Sequence, residues 1–219
     1  RVWFVAPEGD VRLPGSSREV DVGRLDLDEL RVAPYGQLDV QVDRLLFSFS
    51  GMSTKNSSDL TAGRAFTLGG VDVSAGEDFD ARLRFSTFNI TGGYKVWQHN
   101  FTDDARSDAL PARNVLRVWG VGGVRVNDLD FRLQTADQRQ QADDTWIDVV
   151  GGIKTEFQFL DAFSADAEAT IGGLDGSFSL DVAFSLSYRP VDWVAAQVGY
   201  RILFISREDG SGSGQFDYD

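Results

Sequence analysis

Apolar residues in this chain recur mostly at every second position, the period of a β-strand with one apolar face. The clearest run is Phe178 to Tyr188, where Phe178, Leu180, Val182, Phe184, Leu186 and Tyr188 alternate with Ser179, Asp181, Ala183, Ser185 and Ser187. The break Arg189-Pro190-Val191-Asp192 separates it from a second alternating run that reaches Ile205, so the pair predicts a β-hairpin. Its apolar face has two readings. In a soluble protein that face is a core. In a membrane barrel it meets lipid, and the polar face lines the inside.

The same periodicity predicts nine further stretches of strand character or connection along the chain. A first strand covers Arg1–Leu13 and a second Leu25–Val42, kinked or split at Pro34-Tyr35-Gly36. A third runs from Leu45 to Ser50. Residues 53–77 read as the longest connection, with a small hairpin at 66–73 standing above the sheet. Long strands follow at Asp78–Gln98 and Asn114–Gln134, then Trp146–Leu160 and Phe163–Ile171, then the hairpin above, and Gln215–Asp219 opens one more. The apolar phase changes at Ser86-Thr87 and again at Asn127-Asp128. Each change reads as a β-bulge that restores the face after one extra residue. No helical periodicity interrupts the pattern. The expected fold is an all-β, antiparallel up-and-down transmembrane β-barrel meander of about 8–10 strands, a single domain over 1–219 with both ends truncated within strands.

Three features favour lipid over a core. Short breaks alternate imperfectly with longer polar ones, as in outer-membrane barrels. The strands at 78–98 and 114–134 far exceed the usual globular mode of about 5–6 residues. The polar face mixes small residues with charges of both signs: Arg82, Arg84, Lys95, Arg117, Arg125, Lys154, Glu156, Asp166, Glu168, Asp181 and Arg201. These are the expected network of a largely filled lumen. Phe178, Leu180, Val182, Phe184, Val194, Val198, Ile202 and Phe204 are the expected lipid-facing rows, and Trp97, Trp146, Tyr188 and Trp193 the expected aromatic girdle.

Composition sharpens this picture. Glycine (23) and phenylalanine (16) are plentiful, as suits many turns and an apolar face. A net charge of -13 excludes a nucleic-acid partner, because phosphate neutralisation needs clustered Lys and Arg. The absence of cysteine excludes disulfides, thiolate metal sites and cysteine nucleophiles.

The tail carries a resemblance. Trp146, Asp148, Gly151, Lys154, Phe163, Gly172, Gly173, Tyr188, Arg189, Asp192, Trp193, Gly199, Tyr200 and Arg201 match a recurring C-terminal pattern. That pattern resembles the small Gram-negative outer-membrane β-barrels of the outer-membrane-protein-A-like and -W-like group, and residues 64–96 are similar to a segment of other members. The resemblance implies a non-enzymatic barrel in the outer membrane of the cell envelope, with a structural, anchoring or narrow-pore role. It names no catalytic residue. Val149 departs from the group's usual proline. The group's full last strand with a terminal aromatic is also missing, since the chain stops at Tyr218-Asp219. The expectation is a truncated or differently closed barrel whose open edge another protein subunit could fill. Two alternatives stand beside the main reading: a barrel subunit of a surface filament or larger membrane complex, and a soluble barrel binding an apolar ligand.

Candidate chemistry is sparse. His99 is the one histidine, near Asp103 and Asp104, and no nucleophile accompanies it; it reads as a solvated turn residue. The acidic groups Asp26/Asp28/Glu29, Asp103/Asp104 and Asp143/Asp144 are candidates for loop Ca²⁺ or Mg²⁺, without EF-hand spacing, and no other cofactor is expected.

Overall fold

The computed structural model describes residues 2–5, 10–11, 20–29, 31–68, 70–101, 114–159, 162–191, 194–208 and 215–218. The chain is all-β, and its strands run in the order β1 (Val2–Val5), β2 (Asp10–Val11), β3 (Val20–Asp21), β4 (Arg31–Val42), β5 (Leu45–Thr61), β6 (Phe66–Leu68) and β7 (Val71–Val73). They continue as β8 (Asp78–Asn100), β9 (Val115–Gln134), β10 (Arg139–Phe159), β11 (Phe163–Gly173), β12 (Ser177–Val191), β13 (Val194–Glu208) and β14 (Gln215–Tyr218). One sheet orders them β1-β4-β5-β8-β9-β10-β11-β12-β13-β14-β2-β3, and every pairing in it is antiparallel. The span β4 to β13 is an up-and-down meander curled on itself. The Lys154 ammonium of β10 reaches Asp39 of β4 at 3.1 Å, and the Arg201 guanidinium of β13 lies 5.5 Å from the ring centre of Tyr35 on β4.

The two expected bulges are absent, and the reason organises the molecule. β8 pairs with β5 and β9 without a register shift from Asp80 to Tyr94, through both Ser86-Thr87 and Asn127-Asp128. Parity therefore fixes one face inward throughout. On β8 the inward residues begin as Phe79, Ala81, Leu83 and Phe85 and continue as Thr87, Asn89 and Gly93, all buried. The outward residues begin as Asp80, Arg82 and Arg84 and continue as Phe88, Ile90 and Tyr94, all exposed. The chain does not slip; its two faces exchange chemistry.

The exchange falls on one line across four strands. Phe88 pairs with Gly51 and Val126, and Val126 with Ile147, closing the apolar outer rows. One rung up, Ser86 pairs with Ser53 and Asp128, and Asp128 with Thr145, opening the polar ones. The register shift in β8 lies instead between Lys95 and Trp97, which turns Trp97 onto the outer face.

Above the line the interior is an apolar core. Phe79, Leu83, Phe85, Leu129, Phe131, Leu133, Leu203 and Ile205 pack around Val22, Leu25 and Leu27, and Leu68, Val71 and Val73 of the β6–β7 hairpin join them. The expected hairpin at 66–73 is thus present and docked into this core. Leu25 and Leu27, expected at the start of a strand, instead belong to or follow a 3-10 turn over Val22–Leu25. Asp21 caps that turn by accepting from the Arg24 backbone N–H at 3.2 Å, and Asp26 ends it at φ 54°, a backbone region where Asp is tolerated. Inward side chains of β5 hold the turn: Asn56 Nδ2 donates to the carbonyls of Leu27 (2.7 Å) and Glu29 (3.0 Å), and the Ser58 hydroxyl donates to that of Leu25.

Several predicted boundaries move for the same reason: polar outward residues above the line look like loop. β5 continues to Thr61 and β10 begins at Arg139, leaving a tight turn in which Thr135 N–H donates to the Gln138 carbonyl at 2.8 Å. That turn removes a long connection from the expected alternation of loop lengths. Pro34-Tyr35-Gly36 runs straight through β4, and β12 continues through Arg189 to Val191, so the hairpin break is narrower than expected. The expected first strand is represented by β1 and β2, its remainder lying outside the described residues.

The continuous register places Phe85 (1% exposed) inside and Phe88 (46% exposed) outside, three residues apart. Phe85→Ala is expected to destabilise the detergent-refolded protein by about 3–5 kcal/mol, and Phe88→Ala by a small fraction of that. Denaturant midpoints of the two variants measure the difference. Equal losses would restore the bulge.

Candidate functional site

Below the line the inside is polar, and it gathers most of the expected lumen network. Lys95, Arg117, Arg125, Lys154, Glu156, Asp166, Glu168, Asp181 and Arg201 share the inward parity of their strands. Arg82 and Arg84 do not. They lie above the line on the outer wall, because the even positions of β8 face outward from Asp78 to Tyr94, ahead of its one register shift. The expectation that they join the lumen depended on the bulge that is absent.

The centre of the network is Asp181. Its carboxylate accepts from Arg125 Nη2 at 2.6 Å and from Arg201 Nε at 2.8 Å, with Arg201 Nη2 closing a bidentate fork. Arg125, 2% exposed, donates its Nε to Asn89 Oδ1 at 2.7 Å and reaches Thr170 Oγ1 at 3.3 Å. A second group joins Lys154 to Asp39 at 3.1 Å; Asp39 also accepts from Gln37 at 2.9 Å and from the Ser48 hydroxyl. Arg117 pairs with Glu156 at 2.8 Å nearer the lower end. At the level of the line the fully buried Asp148 accepts from Asn127 at 3.0 Å and from the Ser177 hydroxyl. Sequence reading missed Asp39, Asn89, Thr170 and Asp148 as members. Asp39 and Asp148 were legible, since each alternates with apolar neighbours; Asn89 and Thr170 carry no charge to mark them.

The lower interior retains a polar cavity of about 350 Å³ lined by Asp39, Lys154, Glu156, Asp166, Glu168 and Arg201 among others. Arg125 and Asp181 line it as well, and the apolar core occupies the inside above the line. A smaller buried cluster of Leu46, Trp119 and Val121 narrows the lower half. Gly93 leaves room for it, since a Cβ there would sit 3.1 Å from Val121.

The outer wall of the lower half is apolar. Phe178, Leu180, Val182, Phe184, Val198 and Ile202 are exposed, and Val198 reaches 70%. Phe204 also points outward, with its ring 6.0 Å from that of Phe178; the side chain of Val194 lies outside the described residues. At the lower rim seven rings form an unbroken chain: Trp97, His99, Phe101, Phe157, Phe159, Phe163 and Tyr188, with successive centroids 4.6–5.9 Å apart. Trp97 and Tyr188, both expected on an aromatic girdle, belong to this chain of rings. Trp146 does not: β10 extends far above it, so it sits in mid-strand, buried on the inner face with Arg207 5.7 Å from its ring. Trp193 lies outside the described residues.

His99 is exposed as expected, but it is not in a turn. It lies on β8, stacked at 5.7 Å on Trp97 and edge-on to Phe101 at 4.6 Å. Asp103 and Asp104 lie outside the described residues. Among the other acidic groups, Asp143 and Asp144 face opposite sides of β10, with Asp144 paired to Arg207 at 3.2 Å, and Glu29 pairs with Arg31. Among the described residues no cluster of three or more potential ligands is placed to hold a metal ion.

Asp181 between two buried guanidinium groups makes the network sensitive to loss of one partner. Asp181→Asn leaves two uncompensated cations and is expected to destabilise by about 3–5 kcal/mol. Replacing Arg125, Asp181 and Arg201 together by Met, Leu and Met is expected to come much closer to neutral. Denaturant titration of both variants in detergent checks the pair; a triple variant weaker than Asp181→Asn refutes the assignment.

No protein-family model, no curated protein and no solved structure matches this chain, so the resemblance to small outer-membrane barrels rests on its sequence pattern alone.

Proposed function

We propose that this chain is a non-enzymatic β-barrel of the bacterial outer membrane, with a structural or anchoring role. The observation that carries the reading is the inverted lower half: an apolar outer wall encloses a charged, hydrogen-bonded interior, the reverse of a water-soluble domain. The outer apolar rows on β10 run from Ile147 to Phe157, and those on β12 from Phe178 to Tyr188. Each spans the roughly 9–11 residues that a tilted strand needs to cross the hydrocarbon. With a rise of about 3.4 Å per residue and a tilt of about 40°, ten steps give about 26 Å, close to the roughly 25 Å height of such belts. The ring chain then lies at one interface and the serine–aspartate rung at the other. Above that rung the barrel becomes a soluble-type domain held clear of the bilayer.

The interior favours anchoring over conduction. A pore needs a continuous polar path, whereas here the Asp181 ion pairs and the apolar core lie in series above the polar cavity. A soluble barrel holding an apolar ligand fits poorly, because the apolar part of the interior is already filled by side chains and the cavity is lined by charges.

One observation favours a partner within this reading. β1 pairs with β4 only over Arg31–Pro34, and β14 with β13 only over Ile205–Glu208. Below that, among the described residues, β4 from Tyr35 and β13 up to Phe204 are each paired on one side only. Unpaired strand edges do not persist in hydrocarbon, so this slit must be covered by added strands. If neighbouring subunits supply them, the detergent-solubilised protein is a multimer by light scattering. A monodisperse monomer removes the multisubunit reading.

Insertion itself is tested by mid-belt charge. Ile153→Arg and Val182→Arg are expected to lower folding into bilayers by about 2–4 kcal/mol each, while Thr67→Arg, exposed on the β6–β7 hairpin above the line, changes it little. Vesicle flotation and folding titrations measure both. A native fold in buffer without detergent or lipid overturns the membrane reading.

A further inference from the structure

The outer wall above the line carries an unusual arrangement of cations. Lys55 of β5 lies directly opposite Arg84 of β8, and one rung higher Arg82 of β8 lies directly opposite Arg132 of β9. Like charges directly opposite on neighbouring strands destabilise a sheet unless something compensates them. Four cations here form two such pairs on adjacent rungs of three adjacent strands. Lys55, Arg82 and Arg84 are exposed and, among the described residues, make no ion pair or hydrogen bond. Arg132 is half-buried; its Nη2 donates to Gln141 at 3.1 Å, and its Nε is buried without a partner.

Carboxylates are near, and Arg82 acts on Asp80, yet among the described residues none of them forms an ion pair with these four cations. Asp130 faces Arg84 from β9 and pairs with Asp143 on its other side, so those two acids are themselves a like-charge pair. Asp59 faces Asp80 on the rung above Arg82, and the hydrogen bond between their side chains, with their mutual repulsion, holds the Asp80 carboxyl above its ordinary range. The wall therefore separates into a cationic diamond and flanking acidic pairs.

The height of the diamond identifies the anion. Taking the outer-membrane reading as its basis, the serine–aspartate rung marks the edge of the hydrocarbon. Each further rung rises about 5 Å along the membrane normal, from two residues at about 3.4 Å and a tilt of about 40°. Lys55 and Arg84 then lie one rung above that edge and Arg82 and Arg132 two. The headgroup layer is about 5–8 Å deep on each side of the core, and flexible Lys and Arg stems reach back toward it. We propose that Lys55, Arg82, Arg84 and Arg132 bind the phosphate of a phosphorylated lipid headgroup in the leaflet around the upper rim of the belt. Arg presents forked donors to phosphate oxygens, and Lys a point charge beside them. The bound phosphate resolves the two like-charge contacts and seats the belt at a defined depth.

The test uses the whole protein in nanodiscs of phosphatidylcholine doped with phosphatidic acid, which carries a phosphomonoester, and reads the phosphatidic acid retained per protein. A basic residue near the surface contributes about fivefold in binding to anionic lipid. Lys55→Gln/Arg84→Gln and Arg82→Gln/Arg132→Gln are each expected to lower retention about 25-fold on the same scale. Asp59→Asn/Asp80→Asn, on the neighbouring acidic pair, is expected not to lower it. Equal retention by wild type and both cation variants, all inserted, overturns the site while leaving the barrel reading intact. Failure of the wild type to enter nanodiscs overturns the barrel reading first. Displacement of the lipid by inorganic phosphate at equal concentration overturns the headgroup as the source of the anion.

Discussion

Everything in this molecule follows from an uninterrupted antiparallel register. From Asp80 to Tyr94 on β8, and across its partners β5, β9 and β10, no residue is inserted or skipped. A strand without a bulge commits alternate residues to one wall along its whole length. A single parity therefore runs through both halves, and the side chains on each wall change character at one line. The line from Gly51 through Phe88 and Val126 to Ile147 is that boundary.

The two halves are stable for opposite reasons. Above the line the 3-10 turn brings Val22, Leu25 and Leu27 against inward Phe and Leu side chains, and dispersion and apolar burial hold them. Below it the inside is charged, and burial of a charge is tolerable only with partners in good geometry. Asp181 meets that condition with two guanidinium groups, and Asp39 with Lys154 and two hydrogen-bond donors. The two halves also depend on each other. The ion-paired group of Arg125, Asp181 and Arg201 lines the polar cavity, and the apolar core occupies the inside above the line.

The same register sets the outer contour. The lower rim carries a chain of seven rings from Trp97 to Tyr188, the amphipathic residues suited to a membrane–water interface. The opposite limit of the belt is marked by small polar residues followed by paired charges. Between the two, among the described residues, β4 from Tyr35 and β13 up to Phe204 are paired on one side only, and this edge borders the Arg201–Tyr35 contact.

The sequence by itself determined the antiparallel meander and the alternation that makes Phe178–Tyr188 apolar on one face and puts Asp181 and Arg201 on the other. It determined the hairpin at 66–73 as well, because turn residues and short-range alternation are local signals. The phase changes at Ser86-Thr87 and Asn127-Asp128 were equally plain, yet their meaning was not. A bulge and an exchange of environment leave the same one-dimensional trace, and they differ only in whether the neighbouring strands stay in register. Only the tertiary structure decided that. With it came the outward placement of Arg82 and Arg84, the burial of Trp146, and the entry of Leu25 and Leu27 into the barrel. A residue's wall is settled by pairing with strands far away in the chain, and periodicity within one strand carries no record of what lies on either side.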